Sequence, residues 1–262
     1  MKITMYQIDA FTEKVFSGNP AAVCILDTWI DVILMQQIAA ENNLSETAFA
    51  VKSGNTFEIC WFTPTVEIDL CGHATLATAY VLFNYYKIKE TTLKFHSHRS
   101  GILSVDLDQN DNLTLDFPID TVKTATTNKA LNDALGNTPQ QTFKNTSDYL
   151  LTFSSQKEVE ALNPDFYALS KIDTRGIMVT APGDNVDFVS RFFAPRSGID
   201  EDPVTGSAHC SLIPFWSEKL NKTKLTAKQV STRGGDLDCE LIGDRVRIAG
   251  KCCLYMIGEI QL

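Results

Sequence analysis

Apolar and polar residues alternate along much of this 262-residue chain. The run "KITMYQIDAF", residues 2–11, is the first example. A period of two sends successive side chains to opposite faces of a strand, so such runs predict β-structure. Alternating or short apolar runs recur at Ala21–Leu26, Thr47–Lys52, Thr56–Phe62, Thr92–His96, Gly101–Leu107 and Asn112–Phe117. The second half adds Asp148–Phe153, Gly176–Ala181, Phe188–Phe193, Leu237–Ile242, Arg245–Ala249 and Cys253–Gln261. Turn formers separate them, as in "KSGNT", "DQNDN" and "IGD". Helical periodicity is rarer. It predicts helices over Thr28–Asn42, capped by Asp27, and over Ala161–Leu169, with Asn163 or Asp165 near its start.

Two further helices differ from these. "GHATLATAYVLFNYY", 72–86, contains no Lys, Arg, Asp or Glu, and a helix without a charged face is buried all round. "GSAHCSLIPFWSEKL", 206–220, is as apolar over its first three turns, and Pro214 inside it predicts a kink. What precedes them also matches. "WFTPTVEIDLCGHATLA" and "RFFAPRSGIDEDPVTGSAHC" both run aromatic, Phe, small residue, Pro, a loop with Ile-Asp, then Gly and the apolar helix. One unit is used twice. The expected architecture is α+β, two pseudo-symmetric domains, each a β-barrel-like sheet wrapped around a central buried helix. The seam falls near "DFPID", giving domains 1–117 and 118–252, with the strand 253–262 completing the first.

Composition narrows the function. Apolar residues make up 44% and charged residues 21%, with no apolar stretch long enough to span a bilayer. A net charge of -9 argues against nucleic acid, whose phosphates need a basic face. The seven cysteines are odd in number and irregular in spacing, without a CxxC pair. That pattern predicts reduced thiols in a cytoplasm rather than a disulfide framework or a structural zinc site. His96 and His98 in "FHSHR" share a strand face, which reads as solvated rather than metal-binding, and no metal is expected.

Candidate chemistry gathers at the two buried helices. Free N–H groups and the positive end of the dipole lie at a helix N-terminus, and Gly72, Gly206 and Ser207 allow an anion close to the backbone there. Together the two termini are expected to clamp a small anionic substrate between the halves. His73 follows Gly72 in the first turn. A histidine on a buried helix is more often a satisfied core residue, but its place at the terminus favours chemistry. Asp200, Glu201 and Asp202 crowd ahead of the second helix; capping explains one of them and not three. Glu46, in "NNLSETAFAV", opens an apolar strand. It reads as an edge-strand surface acid or as a carboxylate at the rim of an apolar cleft, where burial suits a group that takes and returns a proton. Cys71 stands next to Gly72, but the second half has no matching thiol for two-cysteine racemisation.

Five long matches carry a resemblance: "QIDAFTEKVFSGNPAAVCIL", "ENNLSETAF", "FTPTVEIDLCGHATLATAYVLF", "RFFAPRSGIDEDPVTGSAHCSLIPFW" and "GGDLDCELIGDRVRIAGK". The chain resembles the phenazine-biosynthesis PhzF family, which has the diaminopimelate-epimerase-like fold. The resemblance implies a cofactor-independent isomerase of a small carboxylate-bearing substrate, acting between two domains, as a homodimer. Its best understood chemistry is isomerisation of a dihydro-hydroxyanthranilate. The catalytic glutamate of the "SET" motif falls on Glu46, the histidine of "GHAT" on His73 and the acid of "DPVTGSA" on Asp202. Substrate contacts fall on Gly72, Gly206 and Ser207, and Asn19 lies in "SGNP", which the family places near the site. An amino-acid epimerase or racemase using Glu46 with Cys71, and a catalytically silent binding protein, are the alternatives.

Overall fold

The structure, a computed structural model, describes every residue except Thr127. It divides into two units, Met1–Phe117 with Arg247–Leu262, and Pro118–Val246. The first unit therefore takes Arg247–Cys252 as well as the expected C-terminal strand.

The first unit begins with β1 (Lys2–Ala10), β2 (Asn19–Leu26) and α1 (Val32–Asn42). Then come β3 (Glu46–Ser53), β4 (Thr56–Phe62), β5 (Glu67–Ile68), α2 (Gly72–Tyr85), β6 (Thr92–Ser97), β7 (Gly101–Leu107) and β8 (Leu113–Pro118). Antiparallel pairs are β1–β2, β3–β4, β4–β5, β6–β7 and β7–β8; β2–β3 and β4–β6 are parallel. Helix α2 packs against β1, β2, β3 and β7. Touching strands so far apart in the pairing order requires the sheet to curl around it. That location explains the sequence of α2, which has no Lys, Arg, Asp or Glu: nine of its residues are buried. The hydroxyls of Thr75 and Thr78 donate to the carbonyls of Cys71 and Ala74, 2.6 and 2.7 Å away, so neither is wasted in the core. On the sheet's other face Met35, Ile38 and Ala39 of α1 pack on Cys24, Phe49, Cys60 and Phe62.

The second unit holds β9 (Lys123–Thr124), α3 (Lys129–Leu135), β10 (Gln141–Lys144), β11 (Asp148–Thr152), α4 (Gln156–Glu160) and α5 (Phe166–Leu169). It continues with β12 (Gly176–Pro182), β13 (Phe188–Ala194), β14 (Ile199–Asp202), α6 (Gly206–Leu220), β15 (Lys224–Gln229) and β16 (Gly235–Ile242). Its pairings repeat those of the first unit term by term. β10–β11 is antiparallel, β11–β12 parallel, β12–β13 and β13–β14 antiparallel, β13–β15 parallel and β15–β16 antiparallel. In both units the apolar helix stands between a short strand, β5 or β14, and the parallel partner, β6 or β15, of the strand before it, β4 or β13. The chain closes with β17 (Arg245–Gly250) and β18 (Cys252–Gln261), of which β17 pairs β8 and β18 pairs β1.

Local expectations shift in three places. The cap of α1 is Asp31, whose side chain accepts from the N–H of Ile33, and not Asp27. The helix expected over 161–169 shrinks to α5, Phe166–Leu169, capped by Asp165, while α4 ends before that range at Glu160, with Asn163 and Pro164 between the two. Pro164 denies a backbone donor there and forbids a continuous helix. Pro214 sits inside α6, which runs unbroken to Leu220. All seven cysteines are unpaired. No helix is long and apolar enough to cross a membrane among the described residues.

Candidate active site

The first unit brings three of the expected residues together. Glu46 opens β3, Asn19 opens the adjacent parallel β2, and His73 is the second residue of α2. Strand register sets the two strand residues on the same end of the sheet: Ala21 pairs with Glu46 across β2–β3. All three are buried, Asn19 at 0%, His73 at 4% and Glu46 at 7% exposure, so Glu46 is not a surface acid. His73 Nε2 stands 3.1 Å from Glu46 Oε2. The contact is a charge contact and not an aligned hydrogen bond, because neither atom has a hydrogen-bond partner in line. A carboxylate oxygen out of line with its neighbour keeps a lone pair for another donor.

Asn19, expected to touch substrate, is fully buried, with its side-chain amide 3.1 Å from His73 Nδ1. Cys71, paired with Glu46 only in the epimerase alternative, completes the cluster. Its Sγ lies 3.5 Å from His73 Nδ1. Burial, aided by the Glu46 carboxylate, pushes the Cys71 thiol up to about 11, so near neutrality it is a thiol and not a nucleophile. Burial alone would pull His73 down, but its neighbours Cys71 and Glu46 outweigh that and hold it well above 6.5. With the thiol neutral, the Glu46 carboxylate is the charge that keeps the imidazolium.

The second unit places Asp202, Gly206 and Ser207 around the start of α6. The three acids ahead of it do different things, and the N-cap position itself is Thr205. Asp200 is exposed. Glu201 receives Arg191 in a bidentate pair at 2.7 and 3.0 Å, both side chains largely buried. Asp202 accepts from Thr205 Oγ1 at 2.5 Å, while Gln229 donates to the Asp202 carbonyl and accepts from the Thr205 N–H. This network fixes the loop that enters α6. Ser207 is half-buried, with Arg175 Nη2 3.4 Å from its Oγ; Asp148 holds that guanidinium.

The helix starts match across the two units. Both begin with Gly and, among the described residues, neither has a side-chain cap, while Asp31, Asn128, Ser155 and Asp165 cap the other α-helices. The fourth residue of each ties back to the residue before the helix: Thr75 donates to Cys71 O at 2.6 Å, and His209 Nδ1 to Thr205 O at 2.8 Å. Burial drives His209 down to about 4. His96 is exposed, and His98 lies beyond β6, 3.3 Å from Glu67.

Known proteins give the arrangement its relatives. The sequence profile described as phenazine biosynthesis-like protein, PhzC-PhzF, matches residues 8–258. A protein named as an uncharacterized isomerase in Pseudomonas aeruginosa is 51% identical over the full length of both chains. The crystal structure of a PhzF-family protein from Enterococcus faecalis superposes with a TM-score of 0.97 at 49% identity, covering all of both chains. At the level of fold alone, a hydroxyproline epimerase from Agrobacterium vitis matches with a TM-score of 0.64 at 10% identity, over 99% of this chain and 92% of the other. The repeated α+β architecture is thus one that epimerases share, and the chain belongs to the phenazine biosynthesis-like PhzC-PhzF family.

Proposed function

We propose that the protein is a cofactor-independent isomerase that moves a proton within a small carboxylate-bearing substrate, with Glu46 as the acid/base. The observation that carries this reading is the buried Glu46 carboxylate beside His73, 3.1 Å away and without an aligned partner. Glu46 takes a proton from one carbon of the substrate and a proton is returned at another position of the same conjugated system. The formula is unchanged and no electrons leave. His73, fixed by Asn19, keeps a positive charge against the carboxylate and orients it. The amides at the start of α2, from Gly72 on, favour negative charge developing on the substrate. Asp202, Gly206 and Ser207 are assigned to the same reaction on the sequence resemblance. A relative named as an isomerase, identical at 51% of positions, supports the reaction class.

Proton exchange tests it. In heavy water, with dihydro-hydroxyanthranilate and a panel of amino and cyclic carboxylic acids, the wild type should introduce deuterium into one of them. Glu46→Gln should lower that rate by about 10²-fold or more while the fold is kept, the scale of a lost acid/base group. Wild-type turnover in Glu46→Gln would remove Glu46 from the mechanism. A second reading, amino-acid epimerisation with Cys71 as a partner base, draws on the Sγ–Nδ1 distance of 3.5 Å and on the fold shared with the hydroxyproline epimerase. Cys71→Ser separates the two: it spares the isomerase and abolishes the epimerase.

A further inference from the structure

The second unit builds a counterpart of the Glu46 corner with the opposite charge. In the first unit Asn19 opens β2, Glu46 opens β3 parallel to it, and His73 is the second residue of the helix. In the second unit Asp148 opens β11, Gly176 opens β12 parallel to it, and Ser207 is the second residue of α6. The strand residue itself carries no acid here. A side chain at 176 would displace the Phe192 ring, which stands 2.1 Å from where its Cβ would be. The charge comes one residue earlier, from Arg175, whose guanidinium carbon lies 5.8 Å from the centre of that ring. From this geometry we infer that Arg175 is the residue that binds the substrate's carboxylate, presenting it with the hydroxyl of Ser207.

The donors of the guanidinium divide into two edges. On the inner edge Nε and Nη2 both donate to Asp148, Nε at 2.9 Å, and the Asp148 side chain is 1% exposed. Asn145 fixes that strand entry, its side-chain oxygen accepting from the Asp148 N–H at 2.6 Å. Pinned along this edge, the guanidinium cannot swing. On the outer edge Nη2 donates to Ser207 Oγ at 3.4 Å. A hydroxyl that accepts from a permanent cation has its own proton left to donate elsewhere. Among the described residues neither that proton nor Nη1 is taken by an acceptor. The Arg175 side chain is 47% exposed. Two neighbouring unspent donors, held in place beforehand, fit the two oxygens of a carboxylate. The acids nearby leave room for it. Asp148 is spent on the inner edge. Asp120 accepts from Asn145 at 2.6 Å, and burial, then the Asp148 charge, push it up toward its neutral form.

That the carboxylate belongs to a substrate rests on the isomerase reading, but the test reads binding without turnover, so it succeeds or fails apart from the deuterium exchange. The probes are benzoate and its neutral isostere benzamide, titrated into the whole chain and followed by NMR. The wild type should bind benzoate at least about 10-fold more tightly than benzamide, the scale of a hydrogen bond to a charged group, with the Arg175 Nε–H signal among those that move. Arg175→Gln alone leaves the buried Asp148 unpaired and threatens the fold, so it is combined with Asp148→Asn. The double variant should keep its affinity for benzamide and lose the preference for benzoate. Arg175→Lys, which keeps the charge but not the planar fork, should fall between the two. A wild type without a preference for benzoate, or a folded double variant that keeps it, overturns the proposal.

Discussion

The central residue is His73, because two opposed influences meet on it. Burial penalises its charged form, while the carboxylate of Glu46 rewards it, and the second prevails along with the Cys71 contact. Removing the carboxylate should reverse the order. In a proton NMR titration of the four histidines, the wild-type His73 signal should move well above pH 6.5, and in Glu46→Gln it should move below 6.5. His209, shielded by its surroundings, should titrate near 4 in both proteins. An unchanged His73 midpoint in Glu46→Gln would mean that the carboxylate does not hold the proton. The sign for stability follows. A histidine whose folded value is raised contributes fully below its unfolded value of about 6.5 and loses that contribution as pH rises through the folded value. The urea midpoints of wild type and His73→Asn should therefore be furthest apart below pH 6.5 and converge as pH rises above it. Part of this buried cluster was legible in the sequence. Glu46 and His73 were legible as an acid before an apolar strand and a base at an uncharged helix start. The contact of Asn19 with the imidazole was not legible, because only the parallel register of two strands brings it there. Cys71 was legible as a candidate base beside the helix, but its contact with His73 was not.

Among the elements, those with a strong internal pattern were legible and those defined by their neighbours were not. α2 and α6 announce themselves by a Gly start and an apolar run, uncharged throughout α2 and over the first three turns of α6, and the long strands by alternation. β10, "QTFK", and β15, "KLTAKQ", carry little apolar signal, and β5 has only two residues. These are strands because β11, β13 and β4 offer them free edges. What fastens α6 inside its sheet is more specific than burial. Trp216 stacks on Phe188 with ring centroids 5.7 Å apart, and its indole N–H donates to Thr180 Oγ1 at 2.9 Å, while that hydroxyl donates to Val189 O at 2.6 Å. Thr180→Val keeps the shape and strands a buried indole donor, so it should cost about 1–3 kcal/mol. Urea unfolding should show a lower midpoint at an unchanged slope. An unchanged midpoint would mean that the indole finds another acceptor.

At the scale of the whole molecule, the two units are built alike but threaded differently. The second is one continuous stretch, Pro118–Val246, whereas the first is finished by the last residues of the chain. Every residue of β1, from Lys2 to Ala10, has a partner in β18, and the Lys2 ammonium meets Glu259, 257 residues later, at 2.7 Å. Closing so long a loop is entropically costly, and only a complete ladder and the burial of Ile3, Tyr6 and Ile8 repay it. Without β18, β1 becomes an edge with its outward N–H and C=O groups unpaired. A chain ending at Gly250 should therefore lose the first unit selectively. Amide hydrogen exchange read by mass spectrometry should show protection collapsing across 1–117, including the strands that carry Asn19 and Glu46, while 118–246 keeps most of its protection. If β1–β4 stay protected in the shortened chain, the C-terminal strand is an accessory, and α2 with β1, β2, β3 and β7 suffices to hold the site. If protection is lost throughout, the second unit depends on the first, and the repeated topology conceals a single cooperative folding unit.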